Sequence, residues 1–422
     1  MVLKRFWKLI TLLIVIIPIL VTYFVHTALV IASQFPELEI KTISGDETIL
    51  KNMTISGDYY GGDQYSSTLM VSLDNTTYYE ELSYFEKRDP RFPPNEATEL
   101  RDKYRNFMRG KIYQSSSYFE NDDYLAYVGA EVLDWTPNYL PTYHLEVDVL
   151  NKESNTSTSF QTTLPGMDEI QYVDVLEVRM DKKELKVIVN VNYYLNDQYV
   201  NDIKVYTMDI SSEKIVGDQT LFDPLEQSDK DKWSNLSFLN ELSAIDSTDN
   251  LLLQKDIGQY KEVNHSDDYE GEISTELMER KFYVYDLKTN QQQELLIPEN
   301  HYDKLLSNEI HLDGSVSDTH AYITYEDGNN LVVLSFSLDN LEIDTQQTFD
   351  LKELGMEAED YGINLIDDKL YVLDNDMQKS TKIFVGDITN GEVLYQGEIV
   401  LENDDDKVDE FSLQFYTITK NK

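Results

Sequence analysis

Cysteine is absent from this 422-residue chain, which excludes disulfides, zinc–thiolate centres and thiol catalysis. Histidine is scarce. The six are His26, His144, His265, His301, His311 and His320, and none form a His-x-x-x-His or His-Glu-x-x-His pair, which argues against a zinc hydrolase. No Gly-x-Ser-x-Gly, P-loop or Gly-x-Gly-x-x-Gly occurs either. Positive charge is also in short supply: 35 Lys and Arg stand against 78 Asp and Glu, a net charge of −43. Such a surface repels phosphate backbones, so nucleic acid is not an expected partner. It favours solubility and attracts divalent cations loosely without a built site. No cofactor is expected.

Long apolar runs are missing too, with one exception. Lys4, Arg5 and Lys8 precede an apolar stretch from Leu9 to Ala32. As a helix it would reach about 36 Å, enough for a hydrocarbon core of about 30 Å. The basic flank puts the N-terminus inside and the bulk of the chain outside. The expected organisation is a cytoplasmic tail at 1–8, a transmembrane helix at 9–32 touching membrane lipid, a Pro-containing stalk at 33–42 and an extracytoplasmic domain at 43–422. A cleaved signal peptide ending near Val30-Ile31-Ala32 is the rival, but the run exceeds the usual 7–15-residue core of a signal. Without cysteine, lipoprotein acylation is excluded. A tail this short leaves no room for a signalling domain of its own.

The exported part supplies its core from strand-forming residues, including 30 Tyr and 16 Phe. Alternation is clear at Leu185 to Val191, Lys281 to Tyr285, Leu331 to Phe336 and Lys369 to Leu373. An apolar strand running into an Asp/Ser/Asn turn recurs at Met70 to Thr76, Leu145 to Asn151, Tyr206 to Ser212, Val284 to Thr289, Leu334 to Asn340 and Val385 to Gly391. Most copies follow another strand that starts after an acidic or Asn turn, as at Asp122-Asp123, Asp249-Asn250, Asp318-Thr319 and Asp367-Asp368. The last two steps between copies are about 50 residues, the length of a four-stranded propeller blade; earlier steps need insertions. The expected fold class is all-β, a β-propeller of six to seven four-stranded blades, favoured over a β-sandwich array. One inserted helix near 95–110 is predicted by the Asn95 cap, Glu96 and Glu99 in the first turn and Gly110 at the end. Its apolar stripe is Leu100, Tyr104, Phe107 and Met108. A weaker helical candidate spans Trp233 to Leu242.

Two segments are candidates for partner binding. Lys87 to Lys111 holds eight basic residues, among them Arg88, Arg91, Arg101 and Arg105, against four acidic ones. It is either a docking face for an anionic partner, an envelope protein or wall polymer, or a helix whose cations pair locally and with its own sheet. The second reading is favoured, and Glu99–Lys103 is the expected pair. Asp134 to Tyr143 is a Pro-stiffened loop whose Trp135 and Tyr139 are contact anchors or plugs in the core beneath. Acidic runs at Asp267-Asp268, Asp374-Asn375-Asp376 and Asn403 to Asp406 suggest calcium only loosely, because none has EF-hand spacing.

The basic tail, single span, Pro stalk and acidic Tyr-rich β-domain, together with hairpins such as Tyr283-Val284-Tyr285-Asp286-Leu287-Lys288-Thr289-Asn290, resemble membrane-anchored propeller-like extracytoplasmic proteins of Gram-positive bacteria. The resemblance is architectural and brings no catalytic residues to carry over. It implies a membrane-tethered binding or scaffolding module, more readily than an enzyme. The alternative is an exported polysaccharide-active hydrolase or lyase using paired carboxylates, whose separation the sequence does not reveal.

Overall fold

In a computed structural model the described residues are 35–420 apart from 62–64, 84–86, 88–95, 136–140, 166–169, 196–197, 223–230, 241–247, 264–271, 308–311, 357–360, 375–376, 378 and 403–410, together with 12, 14–19 and 22 near the N-terminus. The expected tail and most of the 9–32 span therefore lie outside the described residues. Residues 12, 14–19 and 22 are helical, with Leu12, Ile14, Val15, Ile16, Ile17 and Ile19 exposed. Among the described residues no helix is long and apolar enough to cross a membrane.

The chain divides into two compact units, residues 1–93 with 351–422, and residues 94–350. Among the described residues, twenty-five strands form six antiparallel sheets. In the first unit, β1 (Leu38–Gly45) lies ahead of β2 (Met53–Gly61), β3 (Tyr65–Val71) and β4 (Thr76–Tyr78). The second unit holds sheets built from β5 (Tyr118–Glu120), β6 (Tyr124–Trp135), β7 (Pro141–Asn151) and β8 (Thr156–Thr163); from β9 (Ile170–Asp181), β10 (Glu184–Leu195), β11 (Gln198–Asp209) and β12 (Lys214–Thr220); from β13 (Lys232–Phe238), β14 (Asn250–Val263), β15 (Glu272–Asp286) and β16 (Gln291–Glu294); and from β17 (Leu312–Val316), β18 (His320–Asp327), β19 (Asn330–Ser337) and β20 (Ile343–Asp350). The first unit resumes with β21 (Tyr361–Ile366), β22 (Lys369–Asp374), β23 (Thr381–Asp387) and β24 (Val393–Leu401), and ends on β25 (Phe411–Lys420). β25 pairs with β2, so that sheet runs β25-β2-β3-β4. Six sheets, five of four strands and one of four extended by β1, with β25 closing the sheet of β2–β4, are consistent with a β-propeller.

All six copies of the sequence repeat fall on the turn from third to fourth strand of a sheet, and the turn chemistry explains why. Asp286 Oδ1 accepts from the Lys288 and Thr289 amides at 2.7 and 3.2 Å, Asp387 Oδ1 from Thr389 at 2.8 Å, and Asp209 Oδ1 from Ser211 at 2.8 Å. Ser72 and Ser337 hydroxyls and the Asn151 side chain act the same way. These are Asx and Ser/Thr turns, which side chains with a short polar arm close on their own backbone. One or two residues before the fourth strand φ is then positive, at Asn155, Glu213, Asn290, Leu341 and Gly391. The residue after the aspartate ties this turn to the one between first and second strands. Leu287 donates to Asp249 O at 2.9 Å, Leu338 to Thr319 O at 2.9 Å, Ile210 to Lys183 O at 3.0 Å and Ile388 to Asp368 O at 3.2 Å.

The predicted helix is shorter than expected. The α-helix α1 covers Glu96–Lys103, and the chain continues through turns to residue 110. Its stripe does what the spacing implies: Leu100, Phe107 and Met108 are buried with Ala97 against Tyr118, Leu125, Tyr127 and Leu150, with Tyr104 packed beside them. A second helix, α2 (Glu299–Leu305), buries His301 and Leu305. Two expectations are corrected. The weak helical candidate at Trp233 to Leu242 is instead β13, paired in register with β14; the in-line pairing of Leu236 and Phe238 with β14 outweighs a marginal helical spacing. The stretch expected as a stalk already belongs to the folded body. Phe35 and Leu38 are buried, Tyr78 donates to Pro36 O at 2.7 Å, and β1 adds a fifth strand to the sheet of β21–β24.

Within β24 the ring of Tyr395, fully buried, folds over Gly397, where a Cβ would lie 2.8 Å from Cε1 and Cζ. Tyr127 covers Gly129 in the same way. Gly397→Ala is expected to destabilise the protein by about 1–3 kcal/mol through overpacking, read as a lower midpoint in urea; an unchanged midpoint would mean that the ring is free to move.

Candidate functional site

In the second unit, three consecutive sheets present their first-to-second and third-to-fourth turns to one cleft of about 860 Å³. Phe119, Glu120 and Asn121 close one side at the end of β5. Arg179 to Lys186 form the floor and the β9–β10 turn. Asp209 and Val216 come from β11 and β12, and Asp249, Leu287 and Lys288 from the turns of the β13–β16 sheet. That volume falls within the range of small-molecule sites.

Five cations line it: Arg179, Lys182, Lys183, Lys186 and Lys288. Lys186 reaches across to the next sheet, donating to Leu287 O and to Asn290 Oδ1 at 2.8 Å. Both acceptors are neutral, so its charge is not cancelled. Lys182 sits on the turn with φ 54°. Among the described residues neither Lys182, Lys183 nor Lys186 makes a salt bridge. Arg179, buried, pairs with the buried Glu177 and lies 5.9 Å from the Phe119 ring centroid. Lys288 is paired with Asp249.

The acids of the cleft are mostly committed. Glu120, buried, accepts from Lys103 Nζ at 2.6 Å, the Tyr104 hydroxyl at 2.6 Å and Lys152 Nζ at 2.7 Å. Burial pushes its carboxyl up, but the bonds from Lys103, Lys152 and Tyr104 outweigh that and hold it below the usual range. Asp209 is held low by its own turn, through the Ser211 amide and the Ser212 hydroxyl. Asp181 and Glu184 flank the β9–β10 turn and are exposed.

A second cluster lies on the sheet of β5–β8. Tyr143, Leu145, Val147 and Val149 face the core, which leaves His144, Glu146 and Asp148 on the opposite face of β7. In register they face Glu131, Gly129 and Tyr127 of β6. His144 is 6% exposed and neither ring nitrogen has a hydrogen-bond partner; Glu131 Oε2 lies 3.7 Å from Nε2. Asp148 is paired with Lys111 Nζ at 2.7 Å. Glu146 is pushed up by burial and by the charges of Glu131 and Asp148.

The residues expected from sequence are not gathered in either place. Arg101 lies over the Tyr113 ring at 5.5 Å, and Arg105 is 3.8 Å from Asp102. Lys103, expected to pair with Glu99, reaches Glu120 instead, and Lys87 pairs with Glu80 at 2.9 Å. Trp135 is 60% exposed at the end of β6, about 30 Å along the strand from Leu125, which packs under α1. Arg88, Arg91 and Tyr139 lie outside the described residues, as do His26, His265 and His311. His301 bonds to the Tyr325 hydroxyl at 2.7 Å, and His320 stacks on Tyr322. Among the described residues no group of three or more His, Asp or Glu is arranged to hold a metal ion. The acidic runs at 267–268 and 403–406 lie outside them, and Asp374 is buried.

No protein-family model and no curated protein matches the chain. Among solved structures it is similar to an ulvan lyase of a new polysaccharide-lyase family at 9% identity and a TM-score of 0.37, over 85% of this chain and 84% of that one. It is also similar to the Dos1 propeller at 12% identity and 0.28, over 67% and 61%, and to a Trypanosoma rangeli sialidase at 10% and 0.30, over 68% and 55%. This chain spans little more than half of those last two, and likenesses this shallow carry no argument about activity.

Because the folded carboxyl of Glu120 lies below its unfolded value of about 4.3, its contribution is complete above that pH and drains away as pH falls through the folded value. Glu120→Gln should cost about 1–3 kcal/mol at neutral pH. It should also flatten the acid limb of a stability-against-pH curve below about pH 4; an acid limb identical to that of the parent would show that Glu120 is not held ionised.

Proposed function

We propose that this chain is a membrane-tethered extracytoplasmic binding module of the β-propeller type, with the cleft at the β9–β10 turn as its ligand site. One observation carries the binding reading. In an acidic protein the cleft presents Lys182, Lys183 and Lys186 without salt-bridge partners among the described residues, while Glu120 and Asp249 are tied to lysines and Asp209 to its own turn, with Asp181 and Glu184 exposed at the rim. A site of this kind is suited to holding a ligand. The tether rests on the apolar run from Leu9 to Ala32, its basic flank and the helical, exposed residues at 14–19. The folded body starts at Phe35, directly after that run.

The alternative of a polysaccharide-active hydrolase or lyase draws on the β7 cluster. Glu146 and Asp148 stand two residues apart on one face, about 7 Å by strand rise. Burial and neighbouring acids favour the protonated form of Glu146, whereas Lys111 neutralises Asp148. A carboxyl pushed up beside one that is ion-paired offers the two carboxyls that an acid and a base require.

Deleting residues 1–34 should move the protein from the membrane to the soluble fraction with its β-sheet circular dichroism intact; retention at the membrane would remove the tether. Parent protein incubated with acidic polysaccharides should release no new reducing ends or unsaturated sugars. Cleavage that Glu146→Gln reduces by about 100-fold or more would transfer the assignment to the enzyme.

A further inference from the structure

The six sheets share a plan, so equivalent turns can be compared within one molecule. Between first and second strands, three sheets carry acidic turns: Asp122-Asp123 before β6, Asp318 before β18 and Asp367-Asp368 before β22. The β9–β10 turn alone among these carries Lys182-Lys183. The left-handed conformation does not require lysine. Lys182 has φ 54°, and Asp367 and Asp368 take 49° and 58° in their own two-residue turn. Aspartate and asparagine tolerate that region better than lysine, so the lysines are not there for the backbone. Lys186, on the same side, is anchored by the neutral Leu287 carbonyl and Asn290 amide. Lys182, Lys183 and Lys186, none in a salt bridge among the described residues, thus line one cleft in a chain of net charge −43, with the charge of Lys183 also felt by Asp209.

We infer that the cleft binds a compact organic anion of about disaccharide size, a sugar or polyol carrying carboxylate or phosphate groups, through Lys182, Lys183 and Lys186. The inference rests on the binding-module reading and names its ligand class. The cleft's volume of about 860 Å³ leaves room for a ligand of that size. Compactness follows from the surroundings: a long, densely charged polymer would leave the cleft onto an acidic surface, while attraction from the lysines fades beyond the screening length of about 8 Å at physiological salt. Asp181 and Glu184 beside the turn, and Asp209 behind it, favour an anion that approaches along the lysine side.

The test is calorimetric titration of the detergent-solubilised full chain with digalacturonate, with a glycerol phosphate dimer and with neutral maltose. At least one of the two anions should bind saturably and maltose should not; which one binds separates carboxylate from phosphate recognition. Affinity should fall as salt rises from about 20 to 200 mM. The double variant Lys182→Asp, Lys183→Asp imports a turn that this fold already accepts at 367–368, and it should weaken binding by about tenfold or more. Lys352→Asp, an exposed charge reversal in the other unit, should leave it unchanged. No saturable binding of either anion, equal binding of maltose, or equal affinity in the double variant with native circular dichroism would each overturn the inference. Membrane fractionation reads the tether separately, so a membrane-bound protein that ignores both anions loses only the ligand class.

Discussion

In five of the sheets one backbone hydrogen bond ties the two turns at one end, the fifth through Lys152 donating to Asp123 O at 2.9 Å. An aspartate, serine or asparagine closes the third-to-fourth turn on its own amides. In four sheets the next residue, leucine or isoleucine, donates its amide back to the turn between the first and second strands. That bond fixes register, because a one-residue slip would reverse every side chain on a strand. It also buries the leucine or isoleucine, as at Leu287 and Ile388, and brings both turns to the same end of the sheet. The cleft exists because three sheets so organised present turns to a common space.

Charge is the second constraint. With 78 acids and 35 bases, folding brings carboxylates into partly buried positions, where each requires a partner. Cations are spent there first. Arg280 makes a bidentate pair with Asp256 at 2.8 Å and donates to Leu305 O, Arg179 takes Glu177, Lys111 takes Asp148, and Lys103 and Lys152 share Glu120. The basic segment around α1 is therefore largely structural, as its pairing with its own sheet indicates. Three of the cations that make no salt bridge among the described residues, Lys182, Lys183 and Lys186, line the cleft at the β9–β10 turn.

Much of the fold was legible because its signals are local. Alternation marked the strands, the Asp, Ser or Asn turns marked every third-to-fourth hairpin, and the stripe from Leu100 to Met108 marked the helix that packs on the β5–β8 sheet. β13 was misread because Trp233, Leu236 and Leu239 fall at helical spacing, and only pairing with β14 decides between the two. The cleft was hidden for a different reason. Lys186 and Asn290 are about a hundred residues apart, so no window of sequence holds both. A trace was present all the same: Lys182-Lys183 occupies a turn whose counterparts are Asp122-Asp123 and Asp367-Asp368, a contrast visible only once the sheets are laid over one another. His144 and Glu131 were likewise separate letters until the β6–β7 register joined them.

The pairing of β25 with β2 has a kinetic consequence. Until residues 411–420 leave the ribosome, β2, β3 and β4 form a hairpin sheet whose β2 edge has unoccupied amides and carbonyls, next to the apolar faces of Ile55 and Tyr59. A nascent chain in that state carries a sticky border for as long as some 350 further residues take to be made, about 20–70 s at about 5–20 residues per second. Holding that border apart from other chains falls to whatever escorts the polypeptide during synthesis, and a chain stopped just short of its last strand would be an aggregation risk out of proportion to the ten residues lost.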